Sequence, residues 1–278
     1  MNYRLYVPER HGGGAPLFVA LHGCRQDADD FASGTRFDVL GERYGAIILY
    51  PEQDERANGH RCWNWFEPNN QRRDGDEPAE ILRLVERTIE EHGADRSRVY
   101  ITGLSAGATL AAILAEQAPD VFCGLASMAG VALHSAHDVD SAYAAMRGEW
   151  EDGAARIGDG SASRVPYSRS RAIIWTGLRD RRVAPENARR LASQFARLYG
   201  LGAHPDEEET LGDGRRRRWH DASRRTRVEL RELEGVGHAW SGGSLRGSYT
   251  APAGASFSEE VFRFFLREEE TEAMRRCG

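Results

Sequence analysis

The sequence has no lysine: each of its 37 basic residues is an arginine. That absence fits a coding bias and carries no mechanism. Also missing is any apolar run near the roughly 20 residues needed to cross a bilayer. The opening Met1-Asn2-Tyr3-Arg4 lacks the apolar stretch of an export signal, so none is read in this chain. Excess positive charge is absent too. A net charge of −6 argues against nucleic acid as a partner, although Arg215, Arg216, Arg217 and Arg218 form a basic run, read here as a solvated loop. Cysteine is sparse, and Cys24, Cys62, Cys123 and Cys277 have neither zinc-site nor redox-pair spacing, so thiols and disulfides both stay open. No internal repeat is visible.

What is present has the balance of a globular protein, 40% hydrophobic and 29% charged, and 278 residues fit one domain around one core. Short apolar runs rich in β-branched residues alternate with segments of helical period. That order predicts an α/β architecture, a mostly parallel sheet with helices on both faces. The expected strands are Tyr3–Val7, Leu17–His22, Ala46–Tyr50, Val99–Thr102, Leu125–Ala129, Arg171–Thr176 and Val228–Leu233. Helices are expected at Pro78–Glu91, Ala106–Ala118, Pro185–Tyr199 and Phe257–Arg267. Two stretches, near 131–170 and 202–226, resist the pattern and read as loop insertions, either cleft-forming or plain surface excursions. Residues 53–76 are also loop-like yet aromatic, with Trp63, Trp65 and Phe66 close together.

Gly103-Leu104-Ser105-Ala106-Gly107 matches the G-x-S-x-G elbow, in which glycines let a strand turn sharply into a helix and expose a serine hydroxyl. The string is weak alone, but here an expected strand enters it and an alanine-rich helix leaves it. A serine hydroxyl is a poor nucleophile near neutral pH, so it needs a base and an acid to orient that base. In such proteins the chain order is serine, acid, histidine. His238 follows a late strand and the loop Gly235-Val236-Gly237, whereas His22 precedes the serine and His204 and His220 fall in the polar insertion. Asp180 directly follows the strand ending in Thr176, unlike Asp138, Asp140, Asp152 and Asp159. Acyl transfer also needs amides aimed at the developing oxyanion. Those of Ala106 and Cys24 are the candidates, with His22 and Gly23 shaping the loop. Such chemistry needs no metal and no organic cofactor.

Through these residues the sequence resembles the esterase family that includes polyhydroxybutyrate depolymerases and related feruloyl and acetylxylan esterases. The likeness runs through Leu21-His22-Gly23-Cys24, Cys62-Trp63-Asn64-Trp65-Phe66, the elbow, Thr176-Gly177-Leu178-Arg179-Asp180 and Gly237-His238-Ala239-Trp240-Ser241-Gly242-Gly243. The resemblance implies an α/β-hydrolase fold, a Ser105-Asp180-His238 triad, a Cys24–Cys62 disulfide and an extracellular or periplasmic place of action. Trp63, Trp65 and Trp240 then look like residues lining a substrate cleft. Cys123 reads as a buried small hydrophobe and Cys277 as part of a charged tail. No substrate-binding domain or Ser/Thr/Pro-rich linker is visible, so soluble oligomers and small esters are expected rather than crystalline polymer. The expected enzyme is a monomer acting on an ester, of hydroxybutyrate oligomers or else of plant-wall polysaccharides, without nucleic-acid or membrane partners. A peptidase on the same scaffold is a further alternative. A non-catalytic binding protein is disfavoured because all three triad positions are filled.

Overall fold

The computed structural model describes residues 1–9, 13–150 and 167–267. Nine strands form one sheet: β1 (Asn2–Tyr6), β2 (Ala15–Leu21), β3 (Ile47–Glu52), β4 (Ala94–Leu104), β5 (Gly124–Met128), β6 (Arg171–Gly177), β7 (Glu207–Leu211), β8 (Gly214–His220) and β9 (Thr226–Leu233). Their order across the sheet is β1-β3-β2-β4-β5-β6-β9-β8-β7. The six strands from β3 to β9 run parallel, while β1, β7 and β8 pair antiparallel at the edges. A short parallel pair, β10 (Trp240–Ser241) and β11 (Thr250–Ala251), stands apart.

Every residue of β2, β5 and β6 is buried, which is why those segments read as unbroken apolar runs. Alternation still divides them between two cores. Leu17, Val19 and Leu21 face a core with α3 (Asp76–His92), α4 (Ala106–Gln117) and α6 (Glu186–Leu198). Phe18 and Ala20 face the opposite core with α1 (Ala28–Thr35), α2 (Phe37–Tyr44) and α7 (Phe257–Phe262). α4 is buried at every position, and its alanines let it lie close against the sheet.

Three helices were not expected: α1, α2 and α5 (Val139–Met146), each of 8 residues. Two turns give too short a sample for the 3.6-residue period to stand out. α5 opens on a capping box between Asp138 and Ser141 inside the stretch read as an irregular insertion. Residues 151–166 of that stretch, with Asp152 and Asp159, lie outside the described residues, as does Cys277. The expected helix Phe257–Arg267 is α7 continued by a wider π turn from Arg263.

The second expected insertion, 202–226, is corrected: most of it is the hairpin β7–β8, which extends the sheet. Its register sets Glu207, Glu208 and Glu209 opposite Arg218, Arg217 and Arg216. The arginine run is therefore no solvated loop. Arg218 bonds Glu229 of β9 at 3.0 Å and Arg217 bonds Glu232 at 2.6 Å. Cross-strand ion pairs replace the apolar contacts that would have marked a strand in the sequence.

Candidate active site

The chain crosses from β2 one way to β3 and then back past β2 to β4 on its other side, so a crevice opens beyond the carboxyl ends of β2 and β4. Leu21 and Gly103 are register partners at that point. Ser105 follows β4 directly, at φ 57° and ψ −119°, a conformation that costs a non-glycine residue about 1–3 kcal/mol. Hydrogen bonds hold it there, from Ser105 N to Met128 O and from Thr109 N to Ser105 O, both at 3.0 Å. Two glycines are sterically required. A Cβ on Gly103 would strike the main chain of Gly107, and one on Gly107 would strike the carbonyls of Leu21 and His22.

Parallel neighbours β6 and β9 end side by side, with Gly177 opposite Leu233. Their following loops are joined by Leu178 N to Leu233 O and Arg179 N to Val236 O, each 2.9 Å. His238 Nδ1 lies 2.7 Å from Asp180 Oδ2. The other carboxylate oxygen accepts the amides of Arg182 at 2.8 Å and Val183 at 2.9 Å. Because a carboxylate can only accept, Nδ1 carries a proton, so in the neutral ring the lone pair is on Nε2. Ser105 and His238 line one small cavity of about 80 Å³. Among the described residues the Ser105 hydroxyl makes no hydrogen bond; such contacts commonly close only when substrate binds.

The amides expected to receive an oxyanion are both open. Ala106 begins α4, so its N–H has no partner within the helix. The amides on either side of Cys24 are occupied, Gly23 N by Gln26 Oε1 at 3.0 Å and Arg25 N by His60 O at 2.7 Å. That of Cys24 has no acceptor among the described residues. His22 is turned inward and fully buried, with Nδ1 2.8 Å from Gly23 O and Nε2 accepting Gln53 N at 3.1 Å. Burial holds its pKa below the usual value, so it serves as a neutral strut for the loop.

The aromatic loop is fastened to this one by the Cys24–Cys62 disulfide and by Trp63 Nε1 donating to His22 O at 2.9 Å. Glu77, in the first turn of α3, takes Asn64 N at 3.0 Å and Gln53 Nε2 at 2.5 Å. Burial raises its pKa in spite of those donors. Trp63, Trp65 and Phe66, with Val131, Tyr143 and Met146, line a cavity of about 410 Å³ that also reaches Ser105 and Ala106.

Trp240 must be corrected. It is fully buried in the core, packed edge-on against Phe31, Phe37 and Phe257, and its Nε1 donates to Ser258 Oγ at 2.9 Å. An indole two residues from a histidine in sequence is carried into the core instead. Cys123 is only half-buried, its Sγ 3.3 Å from Val99 O. Several neighbours of the site were not anticipated: Tyr143 and Met146 of α5, and Arg25 and Arg182 beside Ser105. The capping-box pattern at Asp138 and Ser141 is the one signal that would have found α5. Among the described residues no cluster of three His, Cys, Asp or Glu side chains is placed to hold a metal ion.

The sequence model of the family described as Esterase PHB depolymerase matches residues 1–215. Poly(3-hydroxyalkanoate) depolymerase C of Paucimonas lemoignei is 35% identical over 237 residues, 84% of this chain and 57% of the relative. The chain thus spans little more than half of that protein. Feruloyl esterase B of Thermothelomyces thermophilus is 30% identical over 71% of this chain and 70% of its own length. Among solved structures, the acetyl xylan esterase from Aspergillus awamori superposes with a TM-score of 0.79 at 21% identity, covering 95% of this chain and 93% of that one. The fold is that of the α/β-hydrolases, and the chain belongs to the PHB depolymerase esterase family.

Proposed function

We propose that this protein hydrolyses carboxylic esters through an acyl-enzyme on Ser105. His238 Nε2 takes the hydroxyl proton as Ser105 Oγ adds to the ester carbonyl carbon. The amides of Cys24 and Ala106 receive the oxyanion, and Asp180 fixes the imidazole tautomer and stabilises the imidazolium. Collapse breaks the acyl C–O bond, the imidazolium protonates the departing alcohol, and water activated by His238 then releases the acid. The observation that carries this reading is the His238–Asp180 pair, 2.7 Å apart, sharing a cavity with a serine held in a strained turn.

The relatives' names and the largely apolar cavity favour polyester or hydroxyalkanoate oligomers as substrates. Trp65 and Phe66, which line that cavity, favour a second reading, an aromatic acyl group of the feruloyl kind. The Cys24–Cys62 disulfide supports action in an oxidising compartment outside the cytoplasm. Kinetics on p-nitrophenyl esters, hydroxybutyrate oligomers, methyl ferulate and acetylated xylan would rank the substrates. Ser105→Ala should lower kcat on the best of them by at least about a thousandfold. Retained activity in that variant ends the proposal.

A further inference from the structure

Around Ser105 the described residues that line the cleft carry ionised groups of one sign. The two cavities that meet there share Arg25 and Arg182, and among the described residues no aspartate or glutamate lines either of them. In a chain of net charge −6 this local balance runs against the whole. Neither guanidinium has a carboxylate partner among the described residues, whereas most of the arginines along β8 and β9 do. Their backbones are pinned, Arg25 N on His60 O at 2.7 Å and Arg182 N on Asp180 Oδ1 at 2.8 Å. The Arg182 guanidinium carbon lies over the Tyr249 ring, 5.9 Å from its centroid, a contact that uses none of its N–H donors.

The two cavities also divide the chemistry. Trp63, Trp65 and Phe66 line only the larger one, and His238 lines only the smaller. The imidazolium must protonate the departing alcohol, so the alcohol half of an ester lies on the His238 side and the acyl chain against the aromatic wall. Arg25 and Arg182 line both cavities and so also reach the alcohol side, where guanidinium groups suit a planar anion.

We propose that Arg25 and Arg182 bind a carboxylate carried by the alcohol half of the substrate. This rests on the esterase reading above. The favoured substrates are then esters of hydroxy acids whose terminal carboxyl is free, cleaved at the ester bond nearest that end. Water adds across the acyl C–O bond: the acyl group leaves as an acid, and the hydroxy acid leaves with its new hydroxyl protonated by His238.

The test compares the linear dimer of 3-hydroxybutyrate with the methyl ester of the same dimer, products being separated by chromatography. Wild type should favour the free acid in kcat/KM. That preference should fall about tenfold in Arg25→Gln or Arg182→Gln and about a hundredfold in the double variant. The ratio is insensitive to a general loss of activity. Inhibition of p-nitrophenyl butyrate hydrolysis by 3-hydroxybutyrate should weaken in parallel. A wild-type ratio near one, or an equal ratio in wild type and the double variant, overturns the arginine assignment while p-nitrophenyl butyrate is still cleaved. A wild type that cleaves no ester overturns the esterase reading itself.

Discussion

Ser105 holds a backbone conformation that a side chain strains and a glycine does not. Replacing it therefore separates stability from chemistry. Ser105→Gly should be about 1 kcal/mol more stable than Ser105→Ala in denaturant unfolding, with both inactive. Equal midpoints would remove the strain argument. His22 gives a pH dependence of definite sign. Its folded pKa lies below the ordinary 6.5, because charging a buried ring is costly and its Nε2 is needed as an acceptor. Its contribution is complete above about pH 6.5 and is lost as the pH falls from there through the depressed folded value. Between about pH 7.5 and 5.5 the urea midpoint of wild type should fall more than that of His22→Gln; parallel curves would refute this. At this scale Ser105, His238 and Asp180 were legible because each lies in the turn or short loop that follows a recognisable strand. Trp240 was not, since nearness to His238 in sequence does not say whether a ring turns to the cleft or to the core.

Strands and helices were legible in proportion to their apolar content. β2, β5 and β6 stood out because both of their faces are buried, and α3 because Ile81, Val85 and Ile89 make one stripe. The hairpin β7–β8 was not, because Glu207–Glu209 and Arg215–Arg218 present no apolar alternation; only Gly212-Asp213-Gly214 signalled a turn. Its ion pairs are unequal. Glu232, its side chain only 4% exposed, accepts from both Arg189 and Arg217, each at 2.6 Å. Arg215 and Glu208, 3.3 Å apart, are about half exposed. Glu232→Ala should cost about 3 kcal/mol and Arg215→Ala less than about 1 kcal/mol, measured by denaturant midpoint. Similar costs would mean that the strand edges do not depend on the inner pair.

Across the whole molecule, parallel β4, β6 and β9 deliver Ser105, Asp180 and His238 to one edge of the sheet, though 133 positions separate the first from the last (238 − 105). That convergence follows from strand direction, which the alternating pattern foretold. The cleft wall did not follow, because it comes from loops and from α5, whose placement depends on packing rather than period. The Cys24–Cys62 bridge joins loops outside the strands, at a sequence separation of 38. Closing such a loop constrains the unfolded chain by about 4 kcal/mol at most. Reduction should lower kcat at concentrations of reductant that leave the far-ultraviolet circular dichroism intact, since the sheet has its own two cores. Loss of both signals together would instead tie the bridge to global folding.

The tripeptide Asp180–Arg182 then has a consequence for how such a protein diversifies. Asp180 is steadied by main-chain amides at 182 and 183, groups present whatever side chains stand there, proline excepted. On the roles proposed above, selection among substrates would fall to a side chain and orientation of the imidazole to main-chain amides of neighbouring residues. Position 182 could then change its side chain while the Asp180–His238 pair next to it keeps its aim.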